Sequence, residues 1–221
     1  MKMPLDKNII LFDLDGTLTD PKVGITTSVQ YALSHFGIHV ENPDELCKFI
    51  GPPLRQAFKE YYGFDTAGAE EALWKYRERY IDEGIYENIM YPGIDHMLEG
   101  LKDLGKTLIV ATSKPTILAE KVLKHFSLDK YFSFVSGAEL NGERSEKSEI
   151  IQYAFEKCNI DNIKNCIMVG DRKHDIVGAK AACISSIGVL YGYGSEEELS
   201  EAGADYIVKT VSELSDLLYT S

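Results

Sequence analysis

Near its amino terminus the chain reads Ile9-Ile10-Leu11-Phe12-Asp13-Leu14-Asp15-Gly16-Thr17-Leu18-Thr19. Four consecutive apolar residues are typical of a strand that is buried on both faces of a parallel sheet. Asp13 and Asp15 follow directly, where the carboxyl end of such a strand would open to solvent. Two carboxylates this close together are unfavourable unless a cation or a catalytic role accompanies them.

Short apolar runs of the same kind recur along the chain, at 107–111, 134–136, 166–169, 186–190 and 206–208. Between them lie segments with apolar residues at helical spacing, and Ser195-Glu196-Glu197-Glu198 is typical of a capping box at the start of a helix. This alternation predicts an α/β fold with a doubly wound, Rossmann-like parallel sheet, whose ligands bind beyond the carboxyl ends of the strands.

The alternation is interrupted once, between residues 21 and 87. No strand candidate occurs there, whereas apolar and aromatic residues recur at helical spacing. We therefore predict a helical cap domain at 21–87, inserted into an α/β core domain made of 1–20 and 88–221. The aromatic residues Trp74, Tyr76 and Tyr80 are expected to pack between the cap helices.

The composition excludes several classes of protein. The 221 residues contain 23 Lys and Arg against 35 Asp and Glu, a net charge of −12, with 44% hydrophobic and 26% charged residues. These values are those of a globular protein rather than a disordered or fibrous one. The acidity argues against a nucleic-acid partner, because phosphate groups would be repelled at long range.

The cellular setting is predicted from what the sequence lacks. No apolar run approaches the roughly 20 residues that span a bilayer, and residues 1–6 lack the apolar core of a signal peptide. The four cysteines contain no C-x-x-C pair and are expected to be buried, reduced thiols: Cys47, Cys158, Cys166 and Cys183. We expect a cytoplasmic monomer without a membrane partner.

Polar residues follow other predicted strands or open a helix. Ser113 and Lys114 end the run 107–111, where a hydroxyl and backbone N–H groups ahead of a helix can hold phosphate oxygens, although an ordinary helix cap fits Ser113 equally well. Lys147 opens a helix, an unfavourable end for a cation unless it has an anionic partner or is solvated. Asp171 ends the run 166–169, and Asp175 follows four residues later.

A calcium-binding EF-hand loop does not explain the two aspartates near the amino terminus. That loop requires glycine at its sixth position and glutamate at its twelfth. Counted from Asp13, those positions hold Leu18 and Gly24.

Taken in order, these residues resemble the four motifs of the haloacid dehalogenase-like hydrolase superfamily. The motifs are matched by residues 13–18 (D-x-D-G-T-L), Ser113, Lys147 and residues 170–175 (G-D-x-x-x-D). The helical insertion resembles the first-type cap of that family, and the resemblance covers essentially the whole chain. Within the superfamily the chain is most similar to the phosphoglycolate phosphatase-like branch.

The resemblance implies roles for the acidic residues. Asp13 attacks phosphorus and forms an aspartyl-phosphate, which water then hydrolyses. Asp15 protonates the leaving alkoxide and later activates water. The implied cofactor is Mg²⁺, bound by the carboxylates of Asp13 and Asp171 and by the backbone carbonyl of Asp15. Asp175 is implied as a further or water-mediated ligand, or as a residue that caps its helix.

Further residues are implied to bind the substrate. Ser113 and the N–H of Lys114 hold phosphoryl oxygens, and Lys147 pairs with the phosphate and with Asp13. The turn at 50–55 lies between two cap helices, where Arg55 is expected to contact the leaving group, although a solvated arginine fits as well. We interpret Gly192-Tyr193-Gly194 as a loop, since Glu197 replaces the third glycine of a dinucleotide-binding fingerprint.

The predicted function is that of a Mg²⁺-dependent phosphatase acting on a small phosphorylated metabolite. Phosphoglycolate, a sugar phosphate and a nucleoside monophosphate are all compatible with the sequence. Asp15 favours phosphoryl chemistry over halide displacement, which needs no proton. Two alternatives remain open, a phosphomutase of the β-phosphoglucomutase type and a non-catalytic binding protein on the same fold.

Overall fold

The computed structural model describes residues 7–219. Residues 1–6 and 220–221, which belong to the predicted core domain, lie outside the described residues. The strands are β1 (Ile9–Phe12), β2 (Thr19–Asp20), β3 (Ile89–Met90), β4 (Thr107–Pro115), β5 (Phe134–Ala138), β6 (Cys166–Gly170), β7 (Ser185–Val189) and β8 (Tyr206–Val208). The α-helices are α1 (Lys22–His35), α2 (Leu54–Tyr62), α3 (Thr66–Tyr80), α4 (Ile94–Asp103), α5 (Thr116–His125), α6 (Lys147–Cys158), α7 (Lys173–Ala181), α8 (Glu196–Ala202) and α9 (Val211–Tyr219).

Six strands form one parallel sheet in the order β5-β4-β1-β6-β7-β8. All six come from the predicted apolar runs, so the predicted α/β fold with a parallel sheet is confirmed. Strand β1 lies in the middle, where Phe12 is paired with Val110 of β4 and with Val169 of β6. The residues that follow β1 are therefore placed at the centre of the carboxyl edge.

Burial on both faces explains why β1 is continuously apolar. Ile10 and Phe12 are fully buried in a core cluster that includes residues of α4, α5 and α9. Leu11, between them, is fully buried in a second cluster with residues of α6 and α7. Helices thus cover both faces of the sheet, which is the doubly wound arrangement.

Residues 22–86 contain only helical elements in the structure. They comprise α1, α2, α3 and the 3₁₀ turns Pro43–Phe49 and Gly84–Tyr86, and we call them the helical segment. Asp65 caps α3 by accepting a hydrogen bond from the N–H of Gly68 at 2.8 Å, and Gly63 ends α2 with a φ of 69°. These are the residue types that favour helix starts and ends.

A two-stranded antiparallel ladder connects the helical segment to the sheet. Thr19 pairs with Met90 and Asp20 pairs with Ile89, so the entry and the exit of the segment are joined. These strands were missed from the sequence, because two residues are too few to show an alternating pattern. The ladder brings the end of the loop after β1 next to the returning chain.

Some side chains lie elsewhere than expected. Trp74 is 60% exposed rather than packed between helices, whereas Tyr76 and Tyr80 are buried. All four cysteines are free, but Cys166 alone among them is buried. Cys47 and Cys158 are partly exposed and Cys183 is exposed, so the prediction that all four are buried was wrong. Cys183 ends a turn after α7 and has a φ of 57°. Among residues 7–219, no helix has the length and apolar character that a bilayer crossing requires.

Replacing Leu11 by alanine tests the two-sided burial of β1. We expect Leu11→Ala to lower the free energy of unfolding by about 2–5 kcal/mol, because it leaves a cavity beneath α6 and α7. The measurement is guanidinium-induced unfolding at equilibrium. The matched control is Ile117→Ala, since Ile117 is 54% exposed and its truncation should change the free energy by less than about 0.5 kcal/mol. Equal losses for the two variants would contradict the assignment.

Candidate active site

The candidate residues converge at the carboxyl edge of the sheet. Asp13 follows β1 and extends its ladder, since its N–H donates to the carbonyl of Val169 at 2.9 Å. Ser113 lies near the end of β4, and Asp171 directly follows β6. Lys147 is the first residue of α6. Parallel strands end at the same edge, which is why residues far apart in sequence meet here.

The loop after β1 is a tight turn around one carbonyl group. The N–H groups of Leu18 and Thr19 both donate to the carbonyl of Leu14, at 2.9 and 3.1 Å. Gly16 has a φ of 84°, and a Cβ atom at this position would lie 2.2 Å from Asp171 Oδ2. Glycine is therefore required twice, for its backbone conformation and for the close approach of the turn to Asp171.

Three buried carboxylates form a cluster that could hold a metal ion. Asp13, Asp171 and Asp175 each offer one oxygen, and these oxygens all lie within 4.8 Å of one another. Their exposed fractions are 3%, 0% and 1%. Burial raises the pKa of Asp171 well above its usual value, and the neighbouring Asp175 and Asp13 add to the shift. A hard divalent cation with oxygen ligands, such as Mg²⁺, fits this donor set and would offset the repulsion.

Lys147 supplies the positive charge that the described residues place against this cluster. Its Nζ lies 3.0 Å from Asp13 Oδ1 and 2.8 Å from Asp175 Oδ1, and it donates a hydrogen bond to the carbonyl of Ala111 at 2.9 Å. Burial acts to lower the pKa of Lys147, but Asp13 and Asp175 raise it above its usual value, so the side chain stays protonated.

The helix position of Lys147 is also explained. Glu146 caps α6, and its side chain and that of Glu149 form a reciprocal capping box around the first turn. These two carboxylates favour the positive end of the helix dipole, where Lys147 alone would be unfavourable.

Asp15 stands apart from the three clustered carboxylates. It is 8% exposed, and its Oδ2 forms an ion pair with the Nζ of Lys114 at 2.5 Å. Burial raises the pKa of Asp15, although the ion pair with Lys114 acts to lower it. Sequence reasoning assigned only the backbone N–H of Lys114 to the site, and here that N–H donates to Thr112 Oγ1 at 3.3 Å. The contact of the Lys114 side chain with Asp15 was missed.

A cavity of about 190 Å³ opens between this edge of the sheet and the helical segment. From the sheet side it is lined by Asp13, Asp15, Thr112, Ser113 and Lys114. From the helical segment it is lined chiefly by apolar and aromatic residues and by two arginines, among them Phe49, Leu54, Arg55, Leu73, Tyr76, Arg77 and Tyr80. Asp13 and Asp15 are thus reached from a pocket with one polar and one largely apolar side.

Arg55, the residue predicted to contact a leaving group, lies in this cavity wall. It belongs to α2 and forms an ion pair with Glu70 of α3. Its guanidinium packs against Gly142, where a Cβ atom would lie 1.9 Å from Nη1. Arg55 is therefore held in place rather than freely solvated.

The loop after β7 is part of the site, which sequence reasoning missed. The N–H of Tyr193 donates to Asp171 Oδ2 at 2.8 Å, and the hydroxyl of Tyr191 donates to the carbonyl of Thr17 at 3.0 Å. A Cβ atom at Gly192 would lie 2.3 Å from the carbonyl oxygen of Gly16. The sequence contained a signal for this contact, because Gly192 comes shortly after the predicted strand at 186–190. It therefore belongs at the same edge of the sheet as Asp171.

Arg172 connects the sheet to the helical segment and was also missed. Its Nη1 donates to the carbonyl of Ile50 at 2.6 Å, and its Nε donates to Glu198 at 2.9 Å. Ser195 caps α8, accepting from the N–H of Glu198 at 3.1 Å, but the reciprocal half of the predicted capping box is not formed. The Glu198 carboxylate instead accepts hydrogen bonds from Arg172 Nε and from the N–H of Lys173.

A substitution at Gly192 tests the packing of the loop against Asp171. We expect Gly192→Ala to lower the free energy of unfolding by about 1–3 kcal/mol, since the added methyl group must displace the turn at Gly16 or the Asp171 side chain. Guanidinium-induced unfolding measures the loss. Gly68→Ala serves as the control, because the closest atom to a Cβ there is 3.3 Å away. Unchanged stability of the Gly192 variant would show that the loop packs less closely.

Comparisons with known proteins agree with this geometry. A family model described as haloacid dehalogenase-like hydrolase matches residues 10–189. A 5′-nucleotidase of Pseudomonas aeruginosa is 49% identical over 190 residues, which make up 86% of this chain and 86% of that protein. Tyrosine-protein kinase PtkA of Mycobacterium tuberculosis is 34% identical over 212 residues, 95% of this chain and 72% of that protein.

Other bacterial relatives are named phosphoglycolate phosphatase and match at 27% to 30% identity. Among solved structures, the crystal structure of a predicted phosphatase from Clostridium acetobutylicum superposes with a TM-score of 0.95. It is 48% identical in sequence, and the match covers 97% of this chain and 99% of that one.

Proposed function

Since the chain belongs to the haloacid dehalogenase-like hydrolase family, we propose that it is a Mg²⁺-dependent phosphatase of nucleoside 5′-monophosphates that works through an aspartyl-phosphate on Asp13. The enzyme class, phosphoric monoester hydrolase, is that of its phosphatase relatives. The observation that carries the proposal is the position of Asp13, which lies both in the buried charge cluster and in the wall of the cavity.

In the first step, a carboxylate oxygen of Asp13 forms a bond to the phosphorus atom of the substrate, and the bond from phosphorus to the leaving oxygen breaks. The ion pair with Lys147 at 3.0 Å fixes the side chain of Asp13. Ser113, on the same cavity wall, offers a hydroxyl to the phosphoryl oxygens. The positive charge of Lys147 also stabilises the charge on those oxygens in the transition state.

Asp15, protonated when the substrate binds, then transfers its proton to the leaving alkoxide and becomes the carboxylate that pairs with Lys114. Burial raises the pKa of this carboxyl group, which helps it to hold a proton in the cavity. In the second step the ionised Asp15 takes a proton from water, the water oxygen forms a bond to phosphorus, and the bond from phosphorus to the Asp13 oxygen breaks, which releases inorganic phosphate. Asp13 is regenerated as a carboxylate, and Asp15 is protonated again for the next substrate.

The carboxylates of Asp13, Asp171 and Asp175 would hold Mg²⁺. When bound, the ion would supply a positive charge that neutralises phosphoryl oxygens as negative charge is redistributed among them. The fit rests on the buried carboxylates themselves and on the glycines at 16 and 192, which admit no side chain beside Asp171. The carboxylate of Asp15 is engaged by Lys114 and is not part of this set.

Two features favour a nucleotide over a smaller phosphomonoester. The helical segment lines the cavity with aromatic and apolar side chains, which suit a ribose and a flat base better than a glycolate carboxylate. The relative with 49% identity is named a 5′-nucleotidase. The enclosed position of Asp13 between the sheet and the helical segment, which we propose to act as a cap, favours small molecules over the side chain of a folded protein.

A phosphomutase shares the whole charge cluster, so it is the second candidate. The two activities differ in the product that they form from a sugar phosphate after the enzyme has been primed with the corresponding sugar bisphosphate. A phosphatase yields inorganic phosphate, whereas a mutase yields the isomeric sugar phosphate. If the isomer forms faster than inorganic phosphate, the protein is a mutase and the phosphatase proposal is wrong. A non-catalytic protein would yield neither product.

Replacing Asp13 tests the nucleophile. We expect Asp13→Asn to lower kcat for nucleoside monophosphates by at least about 1,000-fold, because the amide cannot form the phosphorylated intermediate. Phosphate release is measured alongside acid-quenched protein labelled from ³²P substrate. Asp82→Asn, at an exposed aspartate, is the control and should keep both signals. Retained turnover in a clean preparation of Asp13→Asn would exclude Asp13 as the nucleophile.

Metal removal tests the carboxylate cluster. Chelation with EDTA should abolish phosphate release, and Mg²⁺ should restore it. In the absence of substrate, Mg²⁺ should raise the melting temperature of the wild type, since binding to the folded state alone stabilises it. Asp171→Asn should lose this rise, while Asp161→Asn, at an exposed position, should keep it. Full activity in EDTA would contradict the metal requirement.

A further inference from the structure

We propose that Arg77, together with Arg55, recognises a carbonyl oxygen of the nucleobase, so that the enzyme prefers nucleotides with an oxo group on the base to those with an amino group in its place. Hypoxanthine and uracil are bases of the first kind, and adenine and cytosine are of the second. The inference deepens the proposed function and rests on it. Both arginines lie in the wall of the cavity that contains Asp13 and Asp15.

Arg77 has hydrogen-bonding capacity to spare. It belongs to α3, and its Nη2 donates to the carbonyl of Leu140 at 2.9 Å, in the loop that follows β5. Among residues 7–219 this carbonyl is its one hydrogen-bond acceptor. A guanidinium group carries five N–H donors, and since Arg77 lines the cavity, its remaining donors are available to a ligand there.

The wall that contains Arg77 also carries surplus positive charge. Burial and the nearby guanidinium of Arg55 lower the pKa of Arg77, although the Glu70 carboxylate acts to raise it. One carboxylate, that of Glu70, is paired with Arg55, and its side chain is 50% exposed. Glu139 lines the same cavity but is paired with Arg144. A ligand group that accepts hydrogen bonds would relieve the repulsion between the two arginines.

The surroundings of the arginines select for a flat, partly apolar ligand. Phe49, Tyr76 and Tyr80 line the cavity and are at least 95% buried. The Tyr80 hydroxyl is buried and has no hydrogen-bond partner among the described residues. A polar atom of a ligand could therefore form a hydrogen bond with it. A base that packs on these side chains would bring its exocyclic groups towards the polar atoms of the wall.

The donor character of arginine then decides which bases bind well. A guanidinium only donates hydrogen bonds, and an oxo oxygen only accepts them. An amino group at the same place also donates, so it would leave the arginine N–H groups buried and unpaired. A site built around a hydrogen bond discriminates against the ligand that lacks the partner, here by about tenfold or more.

Pairs of nucleotides that differ in this group provide the experiment. We would measure kcat/KM for inosine and adenosine 5′-monophosphates, and for uridine and cytidine 5′-monophosphates. The wild type should favour the oxo member of each pair by about tenfold or more. In Arg77→Met the ratio should fall towards one, through loss of kcat/KM for the oxo substrates. Lys75→Met is the matched control, since Lys75 lies on the same helix, pairs with Glu78 and is absent from the cavity wall.

The ratio separates recognition from a structural role. If Arg77 served only to hold α3 against Leu140, Arg77→Met would lower kcat/KM equally for every nucleotide, and this outcome would overturn the inference. A wild-type ratio near one would overturn it as well. Arg77→Lys, which keeps the charge but loses the planar fork, should give an intermediate ratio and provides a second variant if Arg77→Met does not fold.

Binding without turnover distinguishes this inference from the proposed function. Calorimetric titration of Asp13→Asn with inosine and adenosine 5′-monophosphates in Mg²⁺ reports base preference directly. A preference for inosine monophosphate by about tenfold supports the base recognition whatever the rate of hydrolysis. Hydrolysis of nucleotides without a preference leaves the phosphatase intact and rejects the role of Arg77. If another phosphomonoester is hydrolysed while nucleotides are neither bound nor turned over, the nucleotide substrate is wrong and the inference falls with it.

Discussion

One buried ammonium group holds the carboxyl edge of the sheet together. The Nζ of Lys147 lies within 3.0 Å of Asp13, Asp175 and the carbonyl of Ala111. These partners belong to the loop after β1, to α7 and to β4, while Lys147 itself begins α6. Removing the amine would leave two buried carboxylates without a counter-charge, which is among the most destabilising changes a protein core can undergo. The position of Asp13, the proposed nucleophile, therefore depends on this contact before any substrate or metal is bound.

The sequence was most informative where residues repeat a pattern. Burial on both faces makes a central parallel strand continuously apolar, so β1 and its neighbours could be recognised from composition alone. Because parallel strands end at the same edge of a sheet, the acidic residues that follow these strands could then be predicted to lie close together. The same rule applied to β7 would have brought Gly192 to Asp171. The sequence Gly192-Tyr193-Gly194 resembles an incomplete dinucleotide-binding motif, and this resemblance alone indicates only a loop.

Other contacts could not be read from the sequence because they depend on distance rather than spacing. Lys114 meets Asp15 across 99 residues, and Arg172 meets Ile50 across 122. Nothing local distinguishes these side chains from solvated ones. Tyr76 and Tyr80 do follow the helical pattern, but the pattern does not say whether a buried ring faces a neighbouring helix or a cavity. Trp74, which precedes both of them in the same pattern, is largely exposed. The net charge of −12 is equally uninformative about the substrate, since Lys147 and a bound cation would set the local sign.

The short ladder between β2 and β3 has a mechanical consequence. Asp15 lies four residues before Thr19, and Thr19 is paired with Met90 at the point where the chain returns from the helical segment. Tyr193 is hydrogen-bonded to Asp20, which ties the same point to the loop that touches Asp171. A movement of the helical segment would therefore displace Asp15, the proposed proton donor, and Asp171, one of the carboxylates proposed to bind the metal ion. Access to the pocket and the alignment of its acidic side chains are therefore coupled through the backbone that connects them.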